Sequence, residues 1–300
     1  MMEEGLSACE AKFQKLNNGV NVDGHMDMIG NLPDEIIQHI LSLLPTKDAV
    51  RTSVLSRRWN SQWMFVSNLD FEFPPNMNRK NEKRSLFMDF VDRVIALRKP
   101  LDLNIFALVC EVCTDASRIN SWVCAAVKQN VQHLLLVLDK IHLEPLELPH
   151  CLFTCDTLRK AFIMADILLN LPSSIHFSNL KLLTLQYVVF PGYESTQRLF
   201  SGLPVLEELT LDSCSWLNVE IVTIALPMLK KLDIKENLAD RDNCQFFIIA
   251  ENLNSFYYIG TLKNDYWIYN TVSLDWGLMG LCSTDDIGES SRLSEVAQRA

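Results

Sequence analysis

Glycine is scarce in this chain, ten residues in 300, and none of the ten falls in G-x-G-x-x-G spacing. A loop that cradles phosphate at a helix N-terminus needs that spacing, so nucleotide binding has no support. Basic charge is also in deficit: 27 Lys and Arg stand against 37 Asp and Glu, a formal net charge of −10. Affinity for nucleic acid depends on clustered cations, so the expected partner is protein rather than nucleic acid. No run approaches the roughly 18 uninterrupted apolar residues of a membrane span. The opening MMEEGLSACEAKFQ lacks the basic flank and apolar stretch of an export signal. No membrane association is expected, and the expected location is the cytoplasm, the nucleus or both.

Nine cysteines in such a chain are expected to be free thiols packed as small hydrophobes, not a disulfide framework. Cys110 and Cys113 form a C-x-x-C with Cys124 eleven residues on and His133 as the nearest fourth ligand, but no second paired motif completes a zinc site. Cys110 ends an apolar strand pattern and Cys124 lies in an apolar helix pattern, so packing is expected and no metal. Cys151 and Cys155 read the same way. No cysteine has the basic neighbours that lower a thiol pKa, so neither a catalytic residue nor a cofactor is expected. The one basic zone, Arg57, Arg58, Arg79, Lys80, Lys83 and Arg84, reads as solvated surface balanced by Glu82, Asp89 and Asp92.

What is present is patterned apolar sequence, 48% of the chain. Residues 1–26 are polar and read as a loose leader. The pattern then sharpens: Pro33, Asp34 and Glu35 suit the first turn of a helix, where a missing N–H is no loss and negative charge meets the dipole. Ile36, Ile37, Ile40, Leu41 and Leu44 fall on one face of it, and Pro45 closes it. Thr46 is expected to cap a second helix carrying Val50, Val54 and Leu55, and a third short segment runs from Ser56 to Trp63. Three helices this small fall below the roughly 40 residues at which isolated chains need outside support. Leu32, Pro33, Ile36, Ile37, Ile40, Leu41, Leu44, Val50, Val54, Leu55, Trp59 and Trp63 are therefore the combined core and docking face of a head spanning 27–67. The pattern does not divide core from contact.

Residues 68–85, with PPNMNRKNEKRS at their end, read as a linker between two units. Ser85 is expected to cap a helix with Leu86, Phe90, Val91, Val94, Ile95 and Leu97 at helical spacing. A strand from Leu101 and a helix from Ile119 to Val127 follow.

Beyond them the template L-x-x-L-x-L recurs as Val131/Leu134/Leu136, Leu158/Ala161/Ile163, Leu180/Leu183/Leu185, Leu206/Leu209/Leu211, Leu229/Leu232/Ile234 and Leu253/Phe256/Tyr258. The steps are 27, 22, 26, 23 and 24 residues, inside the leucine-rich-repeat window. Three residues after each strand stand Asp139, Asp166, Val188, Cys214, Asn237 and Thr261, where a short polar side chain is expected to satisfy backbone groups turning inward. The irregular step leaves an ordinary α/β domain with Leu-rich strands as the competing reading. The pattern is not followed past residue 262, so 86–262 is the expected repeat domain and 263–300 a divergent segment ending in a polar tail.

Strand side chains alternate, so the residues between the buried leucines are expected on the opposite, concave face. They are Phe162, Met164, Thr184, Gln186, Thr210, Asp212, Asp233, Lys235, Tyr257 and Ile259. This mixture suits a protein ligand, and an ordinary solvated sheet face is the alternative.

The segment Leu32–Trp63, LPDEIIQHILSLLPTKDAVRTSVLSRRWNSQW, closely resembles the F-box of plant F-box/leucine-rich-repeat proteins. FVDRVIALRK, RINSWVCAAVKQNVQHLLL and LPVLEELTLDSC look like the same family, and the resemblance covers about residues 27–262. It implies an α/β fold in which a three-helix F-box precedes an irregular leucine-rich-repeat solenoid. It also implies a non-catalytic subunit of an SCF-type ubiquitin ligase. The F-box would bind a Skp-family adaptor, and through it a cullin and a RING subunit, while the repeats hold an unknown protein substrate. Many relatives continue into an FBD region, and no recognisable one is expected here. A non-degradative interaction scaffold and a small-ligand co-receptor on the same repeats are the competing functions.

Overall fold

The computed structural model describes residues 32–73, 81–112, 116–140, 147–236, 243–261, 263–269 and 276–281. The expected leader and polar tail lie outside the described residues. The head opens with helix α1 (Asp34–Ser42), whose Ile36 and Ile37 N–H groups donate to the Pro33 carbonyl. Helix α2 (Thr46–Arg51) starts the same way on Pro45, and short 3-10 turns follow at Thr52–Val54 and Trp59–Phe65.

Thr46 is not the cap of α2. It is the first helical residue, buried, and its hydroxyl accepts the Asp70 N–H at 2.7 Å. Asp70 lies in strand β1 (Asn68–Glu72), inside the stretch read from sequence as linker. That reading is corrected: only 74–80 of it falls outside the described residues, and helix α3 (Asn81–Leu97) begins before Ser85. The charge-rich composition hid a strand whose alternate residues, Leu69 and Phe71, are buried.

Strand β1 starts a nine-stranded all-parallel sheet. Its other members, in spatial order, are β2 (Ile105–Val112), β3 (His133–Lys140), β4 (Lys160–Leu168), β5 (Leu182–Phe190), β6 (Glu208–Trp216), β8 (Lys231–Glu236), β10 (Ser255–Gly260) and β12 (Trp276–Leu281). Each repeat contributes one strand, and the repeat positions stack in register: Leu134, Ala161, Leu183, Leu209, Leu232 and Phe256 form one row, Leu136, Ile163, Leu185, Leu211, Ile234 and Tyr258 the next. The solenoid is longer than its sequence pattern suggested. Val66/Leu69/Phe71 and Leu103/Phe106/Leu108 are two earlier copies that extend the same buried rows. Their 37-residue separation, with α3 between them, disguised them. At the other end β12 pairs with β10, so the coil continues past residue 262.

The core lies on one side of this sheet. Helix α4 (Ala116–Lys128) covers it with Ile119, Trp122, Val123 and Ala126, the 3-10 turn His150–Thr154 with Leu152 and Phe153, and α5 (Tyr193–Ser201) with Leu199 and Phe200. After α5 the covering layer changes to a second parallel sheet, β7 (Ile221–Ala225), β9 (Gln245–Ile249) and β11 (Asp265–Tyr269), with β9 in the middle. An aromatic chain ties the two layers. Phe190 stacks on Trp216 at 4.4 Å, Trp216 meets Phe246 edge-on at 5.2 Å, and Phe246 stacks on Tyr266 at 4.8 Å.

The polar turn column is only partly realised. The Cys214 thiol donates to the Leu185 carbonyl at 3.4 Å, whereas at Thr261 the roles are reversed and its own N–H donates to the Glu236 carboxylate at 2.9 Å. Asp166 is exposed. The Asp139 side chain and Asn237 lie outside the described residues.

A single buried guanidinium joins the head to the repeats. Arg98, 5% exposed, donates to the carbonyls of Val66 (3.1 Å), Lys99 (3.2 Å), Leu101 (2.8 Å) and Asp102 (3.1 Å), and to Gln129 Oε1. Burial pushes its pKa down, and the Asp102 charge offsets part of that. Replacing Arg98 by Met strands these carbonyls and is expected to lower stability by about 3 kcal/mol or more, read as a shifted urea midpoint. Arg98→Lys is not expected to restore it, because one ammonium cannot reproduce the planar five-donor fork.

Candidate functional site

Two surfaces remain after the core is accounted for. The first is on the head. Of the twelve apolar candidates, Ile37, Leu41, Trp59 and Trp63 are buried, and Ile37 and Leu41 are at most 1% exposed. They pack with Val66, Leu69 and Phe71, so part of the support the small helices need comes from the chain's own first coil. These four form the core part of the combined core and docking set. Leu32 and Val50 are half-buried against that core. Pro33, Ile36, Ile40, Leu44, Val54 and Leu55 face outward, Val54 at 64% and Leu55 at 62% exposed. Leu43, at 72%, and Phe65 join them; neither was singled out in the sequence, although Leu43 stands at i+3 from Ile40 and i+7 from Ile36, in helical step with both. The head surface is held by local polar ties: Arg58 donates to Asp34 Oδ1 at 2.7 Å across the α1 N-terminus, and Gln38 donates to Gln62 at 3.0 Å.

The second surface is the face of the main sheet turned from the core. Every substrate-face candidate, Phe162, Met164, Thr184, Gln186, Thr210, Asp212, Asp233, Lys235, Tyr257 and Ile259, is half-exposed and alternates with buried neighbours. Register brings them into two rows. One runs Leu135, Phe162, Thr184, Thr210, Asp233, Tyr257, and the other Val137, Met164, Gln186, Asp212, Lys235, Ile259. Leu135, half-exposed, extends the apolar end and had not been singled out, while Val137 in the second row is buried.

The polar centre is internally paired. Asp212 accepts from Lys235 at 3.1 Å, from Gln186 at 3.3 Å and from the Ser213 hydroxyl at 2.9 Å. Asp233 Oδ2 meets Lys231 at 2.9 Å, while its buried Oδ1 has no hydrogen-bond partner among the described residues. Tyr187 and Ser213, at φ of 60° and 52°, occupy the left-handed region in adjacent strands beside this cluster. A bulky tyrosine there is a strained conformation of the kind that collects where a surface is used.

The buried Cys214 thiol carries no nucleophile signature. Burial pushes Cys214 up to about 12, the direction opposite to activation. Among the described residues no group of three His, Cys, Asp or Glu is placed to hold a metal ion, and Cys113 lies outside them. His133 is driven down by burial and by Lys160 and Arg159 nearby. No helix among the described residues is long and apolar enough to cross a membrane.

An F-box domain model matches residues 29–70, and the model described as FBD-associated F-box protein At5g56370, LRR repeats, matches residues 119–256. Relatives in Arabidopsis thaliana include the F-box/LRR-repeat protein At4g14103, 34% identical over 242 residues that cover 79% of this chain and 62% of the relative. The F-box protein At3g59000 is 34% identical over 277 residues, 89% of this chain and 55% of its own length. The F-box/LRR-repeat protein At3g59190 is 32% identical over 271 residues, 88% and 70%. The chain spans between 54% and 62% of the length of the first three such relatives.

The division of the head makes a stability prediction. Ile37→Ala or Leu41→Ala is expected to lower unfolding free energy by about 2–5 kcal/mol. Leu55→Ala and Val54→Ala are expected to stay within about 0.5 kcal/mol of the parent in the same denaturation measurement.

Proposed function

The chain belongs to the plant F-box/LRR-repeat family, and from that premise we propose that it is the substrate-recognition subunit of an SCF-type ubiquitin ligase. Proteins of this family are generally adaptors without chemistry of their own. In this reading the head docks on a Skp-family adaptor, which links it to cullin and RING subunits, and the repeats hold the protein to be ubiquitinated. Cytoplasm and nucleus are the compartments proposed for it.

The observation that carries the proposal is the outward apolar set of the head. Ile36, Ile40, Leu43, Leu44, Val54, Leu55 and Phe65 are each at least 37% exposed, although Ile37, Leu41, Trp59 and Trp63 beside them are locked in the core. Seven large apolar side chains left exposed on a segment this short are the kind of surface that marks a protein interface. Burying one such side chain is worth about 1.5–3 kcal/mol, so a partner that covers several gains the affinity of a specific complex.

For the target, the paired rows on the open sheet face supply an apolar end at Leu135, Phe162 and Met164 and a hydrogen-bonding centre at Gln186, Asp212 and Asp233. One cavity among the described residues lends a small-ligand co-receptor no support. An apolar cavity beneath the repeats, bounded by Leu152, Phe153, Phe177 and Leu199, holds about 20 Å³, far below the roughly 300 Å³ of a small-molecule site.

Co-purification of the full chain with a Skp-family adaptor is the direct test. Leu55→Asp and Leu44→Asp are each expected to weaken binding at least about 30-fold, while Leu101→Asp, an exposed leucine outside the head, is expected to leave it unchanged. Equal binding by all three would remove the proposal. For the other surface, Thr210→Arg combined with Asp212→Arg is expected to abolish target capture, scored by proximity labelling under proteasome inhibition, with adaptor binding intact. Capture that survives this change would assign the target to another face.

A further inference from the structure

We propose that Cys124 and Cys151 are a redox modification site, closing under oxidation into a disulfide that staples helix α4 to the 3-10 turn His150–Thr154. The two sulfurs are 2.9 Å apart across 27 residues of sequence. A disulfide bond is about 2.04 Å long, so closure needs less than an ångström of approach and no movement of either element away from its packing. Both residues are half-exposed. By contrast Cys110, Cys155, Cys214 and Cys244 are buried, Cys214 hydrogen-bonds the Leu185 carbonyl, and Cys244 donates to the Val219 carbonyl at 2.9 Å. Among the described cysteines, an oxidant in water therefore meets this pair first.

The chemistry balances with a peroxide. Hydrogen peroxide converts the Cys124 thiolate to a sulfenic acid, with hydroxide leaving and taking up a proton as water. The Cys151 sulfur then attacks the Cys124 sulfur, the S–S bond forms, and the second oxygen leaves as water. Each thiol has lost one hydrogen, and the peroxide has been reduced by two electrons.

The order follows from the surroundings. Cys151 is pushed up to about 12, by burial first and then by its hydrogen bond to Cys124 and the charge there, so as a thiol it is the poorer first nucleophile. Once Cys124 carries the sulfenic oxygen, Cys151 is the resolving thiol already in contact with it.

The bond also has a structural consequence. Leu152 and Phe153, next to Cys151, are part of the buried layer, and Phe153 meets Phe177 edge-on at 6.3 Å. Fixing the turn to α4 locks the cover of the early repeats, and closing a loop of this length restricts the unfolded chain.

The test uses the full chain, treated with hydrogen peroxide or with a dithiol reductant and digested without reduction. A Cys124–Cys151 cross-linked peptide in the oxidised sample is expected, with Tm raised by roughly 5 °C over the reduced protein. Cys124→Ser and Cys151→Ser, near-isosteric changes, are each expected to remove both the cross-link and the shift, whereas Cys155→Ser keeps both. A cross-link between Cys151 and Cys155, or only singly oxidised cysteines at peroxide levels that consume both thiols, would overturn the proposal.

Discussion

The backbone ladder between successive coils is the constraint from which this molecule follows. A parallel strand cannot satisfy its own N–H and C=O groups, so each coil needs a neighbour on either side. The ladder extends below the strands as well: the N–H groups of His133, Arg159, Lys181, Glu207, Lys230 and Asn254 each donate to the carbonyl of the coil before, at 2.7–2.9 Å. Stacking in this register aligns the leucine positions, which then bury one another without further instruction. It equally aligns the alternate positions into two rows on the other face. Core and candidate recognition surface are therefore two consequences of one hydrogen-bond pattern.

The same constraint explains why the head is not an appendage. Strand β1 is the first rung of the ladder, and the Val66/Leu69/Phe71 triplet is its first repeat. The small helices of the F-box pack their inner faces on that rung, and Thr46 and Arg98 satisfy backbone groups at the join. Docking an adaptor on the outward face of α1 and the turns after it would thus be continuous with the repeats, so head and target surface would be held in a fixed relation. A rigid relation of this kind suits a protein whose proposed work is to place one partner near another.

The covering layer follows a looser rule. Helices serve the early repeats and a second parallel sheet serves the later ones, because a coil needs only some apolar face to seal its leucines. Short segments such as IVTIA, QFFII and DYWIY alternate well enough to pair with each other once the ladder brings them side by side. Their outward residues include Trp267 and Tyr269, exposed on the edge strand β11. The stacked aromatics from Phe190 to Tyr266 fill the interior where two sheets, rather than a sheet and a helix, must be spaced.

Local chemistry alone determined a good deal: the helix start at Pro33 and its close at Pro45, the six leucine triplets, the inward and outward parity within the repeat strands from Phe162 to Ile259, and the family resemblance carried by Leu32–Trp63. These depend on side-chain period and on backbone restrictions that act within a few residues. Tertiary structure decided the rest. It sorted Ile37 and Leu41 from Ile36 and Leu55, turned Thr46 from a cap into a tie to Asp70, and made a strand of a stretch that reads as linker. It also placed Cys124 against Cys151. Each of those outcomes depends on which distant segment supplies the neighbour, and a helical or strand period carries no information about that.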